Sequence, residues 1–368
     1  MTRFFPRETF RRRLPWLAAG ALLLAAAGWW GRGRFPAADP LLESPTLLLA
    51  GVQAQTLYFN GPAYEWLRSR RPELLAPEDR AGPTDRTRAF AQAVLAPTLF
   101  RQADRQQRFD ALLFLGDPSQ YRPLLEHLAE TKDWSLSYVD HWGLVFRRAG
   151  GPAWKLADLE PVRARFAGAP ARDRAMFLAQ TGMKLLMARE FTAARQVLEE
   201  AAQLDARLPE VWNGLAVWHL QRRAYAEAFS AADRALALDP EHLPSLATKS
   251  LLLYGTRQFS EAYALSSQLI ARLPEDPNLL FYHAKIAHEA HAYTAEVEAL
   301  KKLIARAEDE DRPLSGYQLY LGQAYVALGD GPGAIDAFMR VLNDPDLPQD
   351  QRDFARENIS RIKKRTGL

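Results

Sequence analysis

The sequence predicts a mainly α-helical fold in three parts: an N-terminal transmembrane helix, a small α/β domain, and a solenoid of five helical hairpins with a capping helix. Three observations predict it. A run of 17 residues at 14–30 carries no charge. Between about 46 and 150, short β-like runs alternate with helical ones. Beyond about residue 170 the pattern is helical throughout, and small residues recur at a constant step of 34.

The charge-free run, "LPWLAAGALLLAAAGWW", reaches the lower limit for crossing a hydrocarbon core, which takes about 17–25 apolar residues. Arg3, Arg7, Arg11, Arg12 and Arg13 precede it, and only Arg32 and Arg34 follow closely. That bias keeps a basic segment, 1–13, in the cytoplasm. Trp16, Trp29 and Trp30 stand at its two ends, where indoles favour the interface. The alternative is a cleaved signal peptide with Ala25–Ala27 as the small-residue site. The paired tryptophans just beyond favour an uncleaved anchor. In both cases residues 35–368 lie outside the cytoplasm, in the periplasm or an equivalent extracytoplasmic space. A Pro-rich segment without periodicity, 31–45, reads as a stalk.

In the α/β domain, 46–150, "TLLLAGVQAQTLYFN" is rich in β-formers near its end. "GPAYEWLRSRRPELL" (61–75) is an amphipathic helix opened by Pro62, a favoured first-turn residue. "TDRTRAFAQAVLA" (84–96) is a second helix capped by Thr84 or Asp85. The continuous apolar run "FDALLFLG" (109–116) reads as a buried strand. "DPSQYRPLLEHLAETK" (117–132) is a helix with Leu124, Leu125 and Leu128 on one face. "WSLSYVDHWGLVFRR" (134–148) alternates as two strands about a turn near Asp140–Gly143. Asp117 and Asp140 stand at strand ends and take capping and turn roles.

The stretch from "FDALLFL" to "WSLSYVDHWGLVFRR" resembles the soluble tail of membrane glycosyltransferases of the protein-mannosyltransferase type. Those tails usually show Asp-Gly-Arg where this chain has Asn60, Gly61 and Pro62. The family's catalysis belongs to a many-helix membrane domain, which this chain lacks. The resemblance therefore implies a detached accessory domain and brings no catalytic residue.

A linker and lead-in helix, 151–174, leads to the repeats, 175–348. They start at 175, 209, 243, 277 and 315, the last after a four-residue insertion within "EDEDRP" (308–313). Position 8 is Gly182, Ala216, Ser250, Ala284 and Gly322. Position 20 is Ala194, Ala228, Ala262 and Ala334, but Glu296 in the fourth. Two helices that cross at these positions can approach only over small side chains, so Glu296 predicts a looser fourth hairpin. Pro240 and Pro274 stop the second helix of their repeats. With Trp212 at position 4, and with Leu321, Gly322, Tyr325, Gly329, Ala334 and Phe338 in the fifth copy, the pattern resembles the tetratricopeptide repeat. The helix at 349–368 is the polar-faced cap such arrays need.

No chemistry-bearing motif accompanies the repeats. There is no cysteine, so disulfides and thiolate metal sites are excluded. A net charge of +3 argues against nucleic acid. His283, His288 and His291 do not share a helix face, which disfavours a metal. No nucleophile elbow or phosphate loop is present. No cofactor, metal, catalytic residue or small-molecule ligand is expected. The resemblance places the binding surface on the first helix of each hairpin. Its candidates are Met183 in the first repeat, Asn213 and Val217 in the second, Leu251 and Tyr254 in the third, and Phe281 and Lys285 in the fourth. The family's carboxylate clamp, Lys and Asn at positions 5 and 9, is absent from the first three repeats, which hold Ala179 and Met183, Asn213 and Val217, and Ala247 and Leu251. The expected function is a non-enzymatic, membrane-anchored scaffold holding an envelope or membrane-complex protein. The alternative is a glycan-related accessory protein that binds a saccharide or lipid-linked sugar through 46–150.

Overall fold

The computed structural model describes residues 56–93, 97–116, 121–149, 154–309, 315–343 and 349–366. The expected membrane-spanning run, its basic lead and the stalk lie outside them. No helix among the described residues is long and apolar enough to cross a membrane. The described residues form two compact units, one up to Thr248 and the other from Lys249 onward.

The first unit opens with a four-stranded sheet in the order β1-β2-β4-β3. β1 (Leu57–Phe59) pairs in parallel with β2 (Ala111–Leu115), and β4 (Gly143–Arg148) pairs antiparallel with both β2 and β3 (Trp134–Val139). All five residues of β2 are buried, which is why its sequence is a continuous apolar run and not an alternation. A parallel pair needs a long crossover. Here it is built from α1 (Gly61–Arg70), the short α2 (Pro77–Arg80), α3 (Asp85–Ala93) and α4 (Pro97–Gln107). Tyr58, Phe90, Phe100 and Phe109 pack together, with Tyr58 meeting the other three edge-on or tilted at 4.8–5.4 Å. The sequence pattern did not reveal α4. Its sequence, PTLFRQADRQQ, buries only Phe100, so no apolar stripe announces it.

Asn60 holds β1, β2 and α1 together. Its Oδ1 accepts from the backbone N–H of Ala63, capping α1, and from that of Leu115, both at 3.1 Å. Its Nδ2 donates to the Leu115 carbonyl at 2.8 Å. An aspartate, usual in the glycosyltransferase tails, could not make that last bond. Thr84 caps α3, accepting from Arg88 N–H through its carbonyl. α5 (Arg122–Thr131) buries Leu124, Leu125 and Leu128 as expected, and Lys132 ends it in a left-handed conformation. The Asp140 carboxylate accepts from Trp142 N–H at 2.7 Å, Gly143 N–H at 2.8 Å and the Tyr138 hydroxyl at 2.6 Å, a turn role. Asp117 lies outside the described residues.

This turn docks the sheet on the first repeat. Lys184 Nζ donates to the His141 carbonyl at 2.6 Å. The His141 ring lies 5.4 Å from Phe166 and 4.9 Å from Phe177, which follow α6 (Glu160–Arg165) and open α7 (Ala171–Met187).

The hairpins of the first unit are α7 with α8 (Phe191–Leu204) and α9 (Pro209–Gln221) with α10 (Tyr225–Leu238). α11 (Leu243–Gly255) carries the chain into the second unit, where α12 (Phe259–Arg272), α13 (Pro277–Glu289), α14 (Tyr293–Asp309), α15 (Ser315–Leu328) and α16 (Gly331–Leu342) follow, then α17 (Gln349–Thr366). The five hairpins begin at Ala171, Pro209, Leu243, Pro277 and Ser315. The small residues stand where helices touch. A Cβ on Gly182 would fall 2.7 Å from Leu198, and one on Gly322 would fall 2.6 Å from the Phe338 ring. Ala194, Ala228, Ala262 and Ala334 are fully buried. The turn residue at position 15 is left-handed in every repeat, yet only Gly329 is glycine: Arg189, Arg223, Arg257 and His291 hold φ between 60° and 65°.

The fourth hairpin is not loosened. Leu280, Ala284, Val297 and Leu300 bury one another across it. Glu296 is enclosed and meets His288 at 3.0 Å. Part of the expected insertion is helix, since Glu308 and Asp309 extend α14.

Candidate functional site

Sequence spacing assigns positions 5, 9 and 12 on the first helix of each hairpin to the ligand-facing side. In the first unit Met183 is half-buried. Asn213 is buried, and its Oδ1 accepts from the Thr248 hydroxyl at 2.8 Å, so its side chain is engaged in packing. Val217 is 0% exposed. In the second unit Leu251 is 3% exposed and Tyr254 is 9% exposed, its ring 5.7 Å from Tyr282. Sequence spacing places a residue on a helix face but says nothing of what covers that face. It grouped Val217 and Leu251 with open positions for that reason.

Phe281 and Lys285 differ. Both are half-buried on α13. The Lys285 ammonium stands 5.7 Å from the centre of the Phe281 ring. Two tyrosines of α15 meet the same ring edge-on, Tyr317 at 5.7 Å and Tyr320 at 5.5 Å. Burial pulls the Lys285 amine below the usual lysine range, against the opposing pull of Glu289. Burial raises the Tyr320 hydroxyl. Among the described residues no hydrogen bond or ion pair reaches the Lys285 amine. The result is a platform of three aromatic rings with a partly desolvated cation beside it. Tyr317 and Tyr320 were missed from sequence because they occupy positions 3 and 6, outside the stripe considered.

The histidines serve separate partners. His283 Nδ1 lies 2.8 Å from the Ser266 hydroxyl, His288 pairs with Glu296, and His291 Nδ1 lies 2.7 Å from the Tyr293 hydroxyl. In the first unit, a cavity of about 280 Å³ has an apolar floor of Phe166, Phe177 and Leu178. Arg163 in its wall pairs with both Glu160 and Glu200, and Arg174 lines it as well. In the α/β domain Tyr58, Phe59, Phe114 and Tyr121 are buried core, while Trp142 is half-buried.

No protein-family model matches the chain, and no curated protein matches it. Solved structures align with part of it. MamA from Desulfovibrio magneticus RS-1 is 20% identical over 46% of this chain and 94% of that one, with a TM-score of 0.40. YrrB, a TPR protein with an unusual peptide-binding site, is 13% identical over 53% and 96%, with a TM-score of 0.44. PilW, a widely conserved type IV pilus biogenesis factor, is 15% identical over 63% and 96%, with a TM-score of 0.43. The resemblance of this chain to the tetratricopeptide repeat rests on its own hairpins, their step and their glycine and alanine crossings.

Proposed function

We propose that this protein is a non-enzymatic scaffold that holds a protein partner against the first helices of its later repeats, and that it is anchored in a membrane by one N-terminal span. The carrying observation is the Phe281, Tyr317 and Tyr320 platform with the Lys285 ammonium at its edge. Aromatic rings beside a partly buried cation are the kind of surface where binding energy concentrates. The N-terminal arginines and the charge-free run that follows support the anchor and an envelope partner.

A photo-crosslinking residue at Glu289, exposed one turn beyond Lys285 on α13, tests the reading. Covalent capture of one defined partner is expected there, and none from Leu238, also exposed, at the end of α10. Equal capture from both positions would contradict it. The saccharide reading gains no support from the α/β domain, whose aromatic residues fill its core.

A further inference from the structure

Position 20 is the tightest point of each hairpin, and four repeats keep alanine there. Glu296 stands at that point in the fourth, 2% exposed. A carboxylate so placed must find a donor, a cation or a proton. It finds His288, on the facing helix, whose Nδ1 lies 3.0 and 3.2 Å from the two carboxylate oxygens. His288 keeps 39% of its side chain exposed, so the pair links an enclosed crossing to solvent. The groups that face it are few. Tyr293, at the start of α14, meets the imidazole edge-on at 5.8 Å, and His291 engages the Tyr293 hydroxyl. Glu289, next along α13, adds a second negative charge, while Lys285 lies nearly one turn back on the same helix. The hydrogen bond to Glu296 is the main influence on His288 and raises it above the usual histidine value of 6.5; burial opposes, and the charges of Glu296 and Glu289 add to the rise.

We propose that His288 and Glu296 form a proton-set latch on the fourth hairpin, closed while the imidazole is protonated and loosened when it is neutral. Below pH 6.5 the imidazolium–carboxylate pair is complete. As pH rises through the elevated folded value, the ring loses its charge. The enclosed carboxylate then keeps only an uncharged donor, and the stabilisation is lost on the alkaline side. The other four hairpins, with alanine at the crossing, have no such dependence. The hairpin that carries Phe281 and Lys285 is therefore the one whose closure follows pH.

Hydrogen–deuterium exchange of the full-length His283→Gln protein, which lacks the opposing titration of His283 in the same helix, at about pH 6 and about pH 8.5 and corrected for intrinsic exchange, tests this without reference to any partner. Opening of 277–309 should increase at least roughly ten-fold at the higher pH, the ratio for losing one charge-assisted hydrogen bond. Glu296→Ala restores the alanine of the other repeats and should remove the dependence. His288→Gln keeps a donor that does not titrate and should remove it as well. A His283→Gln protein whose corrected exchange over 277–309 is the same at both pH values would overturn the latch. So would a Glu296→Ala variant that keeps the difference.

Discussion

Gly322→Ala is the sharpest probe of the hairpin packing, because two effects of known sign oppose each other. Alanine is the better helix former by about 1 kcal/mol, so propensity alone predicts stabilisation. The structure predicts the reverse. The new Cβ would lie 2.6, 2.8 and 2.9 Å from three atoms of the Phe338 ring, distances that real Cβ atoms essentially never show. Phe338 cannot swing away, since it is fully buried among Ala334, Val341, Ala355 and Ile359. Overpacking of this kind costs about 1–3 kcal/mol, and three contacts on one enclosed ring argue for the upper end. The net change is a loss of about 2 kcal/mol after the propensity gain. Gly316, in the first turn of the same helix, has nothing within 4 Å of the place a methyl group would take. Gly316→Ala should therefore be neutral or slightly stabilising. Thermal melts followed by circular dichroism would show Gly322→Ala lowered by roughly 4–8 °C at about 2–4 °C per kcal/mol, with Gly316→Ala unchanged or raised. A Gly322→Ala protein as stable as its Gly316→Ala counterpart would refute the close crossing.

Asn60→Asp removes the donor to the Leu115 carbonyl and leaves a charge at a 3% exposed site, so the α/β domain should lose roughly 2–3 kcal/mol in denaturant titration. Acid should destabilise both units. Burial depresses His242 and His283 to about 4, from 6.5, so each contributes stability at and above pH 6.5 that is lost as pH falls toward 4. Melting temperature should drop across that window, and His283→Gln should shallow the drop. Val217→Asp should unfold its hairpin, because the site is fully buried and offers no partner for a carboxylate; a native circular dichroism spectrum and unchanged melting would contradict this.

Much of the fold is readable because its rules are local. The step of 34 needs only small residues at two positions, and Gly182, Ala194, Gly322 and Ala334 supply them. β2 is readable because burial on both faces forces an apolar run. α4 is not, because its contribution to the core is a single phenylalanine. The proposed binding surface is readable only in part. Phe281 and Lys285 stand out by position, but Tyr317 and Tyr320 come from the next repeat and reach them through packing that no spacing encodes. Glu296 is visible in sequence as an exception. Its answer, His288, is eight residues away across a turn, and only the hairpin brings the two together. Burial of Val217 and Leu251 depends on tertiary surroundings, which a helical stripe does not specify.

Charge reversal at Lys285 decides whether a protein partner is held on the Phe281 platform. The side chain is half-buried at the platform's edge with no hydrogen bond among the described residues, so Lys285→Glu removes the cation without breaking a bond. The full-length variant and wild type would be purified in parallel from detergent-solubilised membranes, with associated proteins quantified by mass spectrometry and helicity checked by circular dichroism. One partner enriched with wild type should fall at least roughly ten-fold with the variant, the size of loss that a single dominant contact carries, while helicity stays native. The same partner retained at wild-type level by a natively helical Lys285→Glu protein would contradict a partner site on this platform.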